Sequence, residues 1–191
     1  KASILAKEQK FDEASTLLAE VSKDYPEHKD ILSLEILILK DKGDLPAALA
    51  KTKQAVEKYP EDMSLRLIEL SLYNDMKDFK GMANVYEDIL ARKPDEREVV
   101  MSYAKLLVWK LDRYDQALTL LQTFLKNHPE DDEAQQFLLG LINQKNPQEA
   151  LSKLDEMIEA DPENYELRFA KAALLDKNGD VEGSVKELND I

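Results

Sequence analysis

Two close pairs of carboxylates, Asp131 with Asp132 and Asp112 with Asp115, have the residue types that general acid and base catalysis requires. Such pairs work when burial or a like-charged neighbour drives their pKa values apart. With 39 acidic residues in 191, adjacent acids arise by chance, and both pairs fall in turn segments, so they read as solvated helix ends. Other reactive patterns are missing. No serine lies in a nucleophile-elbow sequence, no glycine-rich phosphate loop occurs, and the five glycines are scattered singly. The absence of cysteine removes thiolate metal sites, cysteine nucleophiles and disulfides. The expectation is a chain that is not an enzyme and needs no cofactor or metal.

What remains is a helix-forming composition. Apolar residues make up 43% of the chain while glycine (5) and proline (7) are scarce, which favours long helices and an all-α fold. A formal charge of −13 repels phosphate backbones and anionic lipid head groups, so nucleic acid is a poor partner. The longest apolar run, Ile36 to Leu39, is far shorter than the roughly 20 residues that span a bilayer, so no membrane insertion by this segment is expected. Lys1 to Ala6 read as the later half of a helix and no initiator methionine or signal sequence precedes them. The expectation is a piece of a longer protein, with cytoplasm and periplasm both open.

The helices are organised by a period. Pro26, Pro60, Pro94, Pro129 and Pro162 are separated by 34, 34, 35 and 33 residues. Ala14, Ala48, Met82, Ala117, Ala150 and Ser184 keep step with them, as do Phe11, Leu45, Phe79, Tyr114, Pro147 and Val181 three residues earlier. A further series, Ala2, Ile36, Leu70, Ala104, Leu139 and Ala172, lies on the first helix of each unit. From it to the Phe11 series the gaps are 9, 9, 9, 10, 8 and 9, so the one insertion and the one deletion both fall in the turn inside a hairpin. Each proline ends a second helix, since it cannot continue one and pushes the preceding residue out of the helical region. The acidic residue after it (Glu27, Glu61, Asp95, Glu130, Glu163) suits the positive end of the next helix. Small residues early in the second helix permit close approach near the turn. Gly43 and Gly179 fall where a first helix ends, the usual place for a left-handed cap. His28 and His128 occupy turns three repeats apart, too distant to share a metal ion.

These residues resemble the tetratricopeptide repeat, whose 34-residue signature is small at position 8, apolar or aromatic at 11, small at 20, apolar at 24 and 27, and proline at 32. In the second unit those places hold Ile36, Leu39, Ala48, Thr52, Ala55 and Pro60; in the fourth, Ala104, Leu107, Ala117, Leu121, Phe124 and Pro129. The tryptophan-like position 4 departs from the pattern, holding Leu32, Arg66, Val100, Gln135 and Arg168. The resemblance implies a right-handed superhelical α-solenoid of antiparallel helix pairs. It covers residues 1–191 as a single array of about 5.5 repeats: 1–28 (partial), 29–62, 63–96, 97–131, 132–164 and 165–191, the last stopping at Ile191 inside its second helix.

In that family first helices line a concave groove, with side chains at positions 2, 5, 9 and 12 facing it. Carried onto this chain, the implied partner-binding residues are Leu37, Lys40, Leu67, Ser71, Asn74, Met101, Lys105, Val108, Gln136 and Phe169, with Trp109 at the groove's edge. The same positions include Asp30, Glu98, Glu133, Gly140, Asn143, Glu166 and Asp176. The family class that grips chaperone C-terminal tails needs lysine, asparagine and arginine where this chain offers Ser33, Leu37, Ile68, Glu98 and Ser102, so it is not implied. Leu37, Leu67, Met101, Val108 and Phe169 suit a protein or peptide partner that presents apolar side chains. The degenerate, cysteine-free units are comparable to those of bacterial export and envelope-assembly proteins. The expected role is therefore a protein-protein interaction scaffold within a larger assembly or secretion protein. Two other readings stay open: a helical-repeat nucleic-acid binder, opposed by five groove carboxylates against two lysines, and a module that self-associates by stacking.

Overall fold

Alternation of apolar faces with proline stops produces twelve α-helices among the described residues, and no strand. The computed structural model describes residues 1–25, 28–160 and 162–189, without the side chains of Ala160 and Glu166. Pro26, Glu27, the side chain of Glu166 and Ile191 therefore lie outside the described residues. In chain order the helices are α1 (Ala2–Lys7), α2 (Phe11–Asp24), α3 (Lys29–Asp41), α4 (Leu45–Lys58), α5 (Met63–Asp75) and α6 (Phe79–Arg92). Then come α7 (Arg97–Trp109), α8 (Tyr114–Asn127), α9 (Asp132–Lys145), α10 (Pro147–Ala160), α11 (Tyr165–Lys177) and α12 (Val181–Asn189). They group into two compact units, residues 1–89 and 90–191, the division falling inside α6. In each unit consecutive helices pack as antiparallel hairpins that stack on their neighbours.

The turn inside a hairpin is built the same way four times. Asp44 N–H donates to the Leu39 carbonyl and Gly43 N–H to that of Lys40, at 3.0 and 2.9 Å. Equivalent pairs close the turns at Lys10, Asp78 and Asp180, satisfying carbonyls that a helix end leaves free. Each turn needs one left-handed residue: Gln9 (φ +61°), Gly43 (+82°), Lys77 (+55°) and Gly179 (+88°). The inserted residue of the fourth hairpin widens its turn, so that Arg113 N–H reaches the Leu107 carbonyl at 2.8 Å with Asp112 left-handed at +55°. The deletion in the fifth removes the left-handed position altogether. Asn146 is extended there, and its side-chain oxygen accepts the Glu149 N–H at 3.2 Å to start α10. A side chain at positive φ is strained where glycine is not. Lys77→Gly is therefore expected to raise, and Gly43→Ala to lower, the unfolding free energy by about 0.5–1 kcal/mol in denaturant melts.

Two of the first helices have their starts fixed by aspartates. Asp62 accepts from the Ser64 and Leu65 N–H groups, and Asp131 from that of Ala134. These caps stand two residues after Pro60 and Pro129, one place beyond the acids picked out by spacing, because a capping side chain must meet the N–H groups two and three residues ahead of it.

Stacking explains why the first helices are apolar on two sides. On α3, Ile31, Leu34 and Ile38 pack with Ala14 and Leu18 of α2, while Leu32, Ile36 and Leu39 pack with Ala48, Ala55 and Val56 of α4 and Leu65 and Leu72 of α5. Leu139, Leu154, Ile158 and Leu167 repeat this arrangement in the second unit. A helix covered on two sides keeps only one strip of side chains for solvent, and that strip is where a partner can be met. Ala14, Ala48, Ala117 and Ala150 are fully buried at the hairpin crossings. The third hairpin differs. Met82 occupies the small-residue register but is only half-buried, and the close approach is moved to Gly81, where a Cβ would lie 2.3 Å from the Tyr73 ring.

Candidate functional site

The exposed strip of the first unit is organised by hydrogen bonds between successive first helices. Lys40 on α3 donates to the Ser71 hydroxyl of α5 at 2.5 Å and pairs with Asp75 at 3.1 Å. One turn earlier on the same helices stand Leu37 and Leu67, 43% and 59% exposed. Residues three or four apart share a helix face, so both leucines lie on the side marked by the Lys40–Ser71 bond. Asn74 is exposed beyond it. Leu37, Lys40, Leu67, Ser71 and Asn74 thus form one surface, polar at one end and apolar at the other.

In the second unit the expected residues divide. Met101 and Val108 are buried, 3% and 6% exposed, because α7 packs nearly all round and hides eight of its residues. Neither is presented on the surface of the unit. Trp109 is 65% exposed and tilts against Phe137 of α9, ring centroids 6.0 Å apart, so it does not pack under the lengthened turn. Gln136 and Phe169 do come together, on the two sides of a depression of about 440 Å³ between α9 and α11. Gly140 floors it: a Cβ there would have no neighbour within 4 Å. Lys105 is held by Glu133 at 3.1 Å.

Glu133 belongs to a cluster that sequence reasoning did not assemble. Arg97 binds Asp131 through Nε at 2.6 Å and Nη2 at 3.3 Å, and Glu133 through Nη2 at 2.9 Å. In the first unit Lys29 pairs with Asp62 in the equivalent place. A cation opening one first helix thus grips the aspartate that caps the next. The signal was present as a spacing of 33 or 34 between cation and aspartate, but only the cap geometry gives it meaning. Hydrogen bonding from Arg97 holds the Asp131 and Glu133 carboxyls below their ordinary values, with help from Lys105 at Glu133; Lys29 does the same for Asp62. A lowered folded-state pKa adds stability that is complete above the unfolded value near 4 and is lost as pH falls through the folded one. Arg97→Ala should therefore lower the melting temperature at neutral pH, and the gap to the parent should close in melts at about pH 2.5.

One carboxylate of each close acidic pair has a structural partner. Asp131 caps α9 and binds Arg97, and Asp115 pairs with Lys145. Among the described residues no three histidine, cysteine or acidic side chains gather as a metal site, and no helix is long and apolar enough to cross a membrane.

Two tetratricopeptide repeat models match the sequence, one over residues 1–63 and 106–143 and one over residues 141–191, together more than half of the chain. The chain belongs to the tetratricopeptide repeat family. Similar solved structures agree on the fold. A tetratricopeptide repeat protein from Parabacteroides merdae ATCC 43184 is 18% identical with a TM-score of 0.58, over 99% of this chain and 75% of that one. YrrB, described as a tetratricopeptide repeat protein with an unusual peptide-binding site, is 18% identical with a TM-score of 0.54, over 91% and 89%. A structure of Naa15/Naa10 bound to HypK-THB is 19% identical with a TM-score of 0.62, but this chain spans only 30% of that one. No match is found among curated protein sequences. The tetratricopeptide repeats support a protein-interaction scaffold, and the family fold is in general a non-catalytic interaction module.

Proposed function

We propose that this tetratricopeptide repeat protein holds a partner segment, through apolar side chains presented by its first helices, and has no catalytic activity of its own. The observation that carries this reading is the exposure of large apolar side chains on well-packed helices: Leu37 and Leu67 in one unit, Trp109 and Phe169 in the other. Leaving them in water costs about 25 cal/mol per Å² of apolar area, a cost that a covering partner removes. The polar neighbours are already engaged, Lys40 with Ser71 and Asp75 and Lys105 with Glu133, which leaves apolar contact to supply affinity and exposed amides such as Gln136 to orient the partner. A role in a larger assembly or export protein fits such a holding function.

Capture from the cells of origin tests it. Leu67→Asp combined with Phe169→Asp changes only exposed positions, so helicity by circular dichroism should be retained while partner recovery falls at least tenfold. Undiminished recovery would remove these helix faces from the binding surface. A second reading, stacking of copies, draws on α12, where Val181, Val185 and Leu188 are 59%, 52% and 45% exposed at i, i+4, i+7 spacing. Light scattering separates it, because stacking makes the mean mass rise with concentration.

A further inference from the structure

The second unit contains a larger hollow that the surface described above does not use. A cleft of about 630 Å³ opens between α8 and α10, floored by α9, with Leu138, Ile142 and Met157 among its apolar lining. Its cause lies at one position of the period. Leu32 packs into the α3–α5 core, Arg66 reaches Glu69 and Asp88, Val100 is fully buried, and Arg168 reaches Glu187. Gln135 holds the same register but turns back to donate to the Pro129 carbonyl. Gln135 itself lines the cleft, and its turn towards Pro129 leaves the space beside it open.

The rim has a sign. Lys126 on α8 and Lys153 on α10 stand on opposite sides. Glu149 on α10 lines the cleft as well, its carboxylate accepting from the Asn146 side chain at 3.3 Å. Lys153 pairs only with the exposed Glu156, and Lys126 makes no ion pair among the described residues. Although the chain as a whole is acidic, charges further off than about 8 Å are largely screened at physiological ionic strength, so the local balance of two ammonium groups against one carboxylate governs what sits in the cleft. The hollow has the size of a ligand pocket, and its floor of branched side chains and a thioether suits a flat ring.

We propose that this cleft docks a protein partner through one aromatic side chain flanked by carboxylates: the ring enters where Gln135 fails to fill the space, and the acids meet Lys126 and Lys153. This surface is separate from the one proposed for the first helices, so either can fail alone.

The test uses the full chain with ¹³C-methyl methionine, five in the sequence, of which Met157 reports on the cleft. Capped peptides Asp-Trp-Asp, Lys-Trp-Lys and Asp-Ala-Asp are titrated to about 5 mM, a range that detects weak binding. Asp-Trp-Asp should shift the Met157 methyl to saturation, with at least tenfold weaker responses to the other two. Gln135→Trp should fill the cleft from within, raise the melting temperature and abolish the response. Lys126→Glu with Lys153→Glu, both at exposed positions, should keep the helicity and lose the response. A Met157 signal that Asp-Trp-Asp leaves unmoved, or that all three peptides move alike, overturns the proposal. So does a response that survives the charge reversal.

Discussion

Glu69→Ala should destabilise the chain by about 3–5 kcal/mol, the range for removing one partner of a buried ion pair. Arg66 and Glu69 are 7% and 4% exposed and meet at 3.1 Å on α5. The second contact of Arg66, to Asp88 at 3.6 Å, is to a carboxylate 65% exposed and provides only partial compensation, so the lower end of the range is expected. Burial holds the Glu69 carboxyl above its ordinary value against the pull of Arg66. The folded chain therefore binds that proton more readily than the unfolded one, and this carboxylate detracts from stability as pH rises past its unfolded value, opposite in sign to Asp131. The ion pair is thus a poor substitute for apolar packing at a position where the family signature is aromatic. Arg66→Leu with Glu69→Leu should accordingly recover most of the loss and can exceed the parent. Urea unfolding of the single and double variants measures both; a double variant as unstable as Glu69→Ala would refute the argument.

Gly81→Ala and Gly140→Ala should move stability in opposite directions although both glycines lie inside helices. Alanine in a helix interior is favoured over glycine by about 0.8–1.0 kcal/mol, and Gly140→Ala should realise that gain because its Cβ meets nothing within 4 Å. At Gly81 the new methyl would lie 2.3 and 2.4 Å from ring carbons of Tyr73, which is 8% exposed and has little room to retreat. Overpacking costs about 1–3 kcal/mol, so the substitution should be net destabilising. Thermal melts of the pair decide it, and a stabilised Gly81→Ala would show that the α5–α6 crossing is loose. Gly140→Ala also places a methyl in the depression beside Phe169, so it separates a change in stability from a change in binding.

The period made the architecture legible because repeat packing obliges each unit to place the same residue types at the same step. Proline stops, alanine crossings and the locations of the insertion and deletion all follow from that. What the period could not carry was the compensation between adjacent residues. Met82 kept the small-residue register in sequence, but Gly81 took over its role. Caps fell on Asp62 and Asp131, since cap geometry depends on where the backbone leaves the helix and not on which acid follows a proline. For the binding surface, the family pattern picked out positions of which Leu37, Leu67, Gln136 and Phe169 are exposed. It could not show that α7 is covered nearly all round, which buries Met101 and Val108. Side-chain exposure on a first helix depends on how much of it the neighbouring hairpins cover, and that quantity is not local in sequence.

Within each unit, the stacking of helices on those next to them along the chain bears on how quickly that unit assembles. The most extensive helix contacts join consecutive elements. Forming them closes short loops, whose entropic cost grows only slowly with length, and folds dominated by near-neighbour pairings reach the native state in microseconds to milliseconds. Each hairpin can therefore take shape as it leaves the ribosome, before the residues that will later cover it have been synthesised.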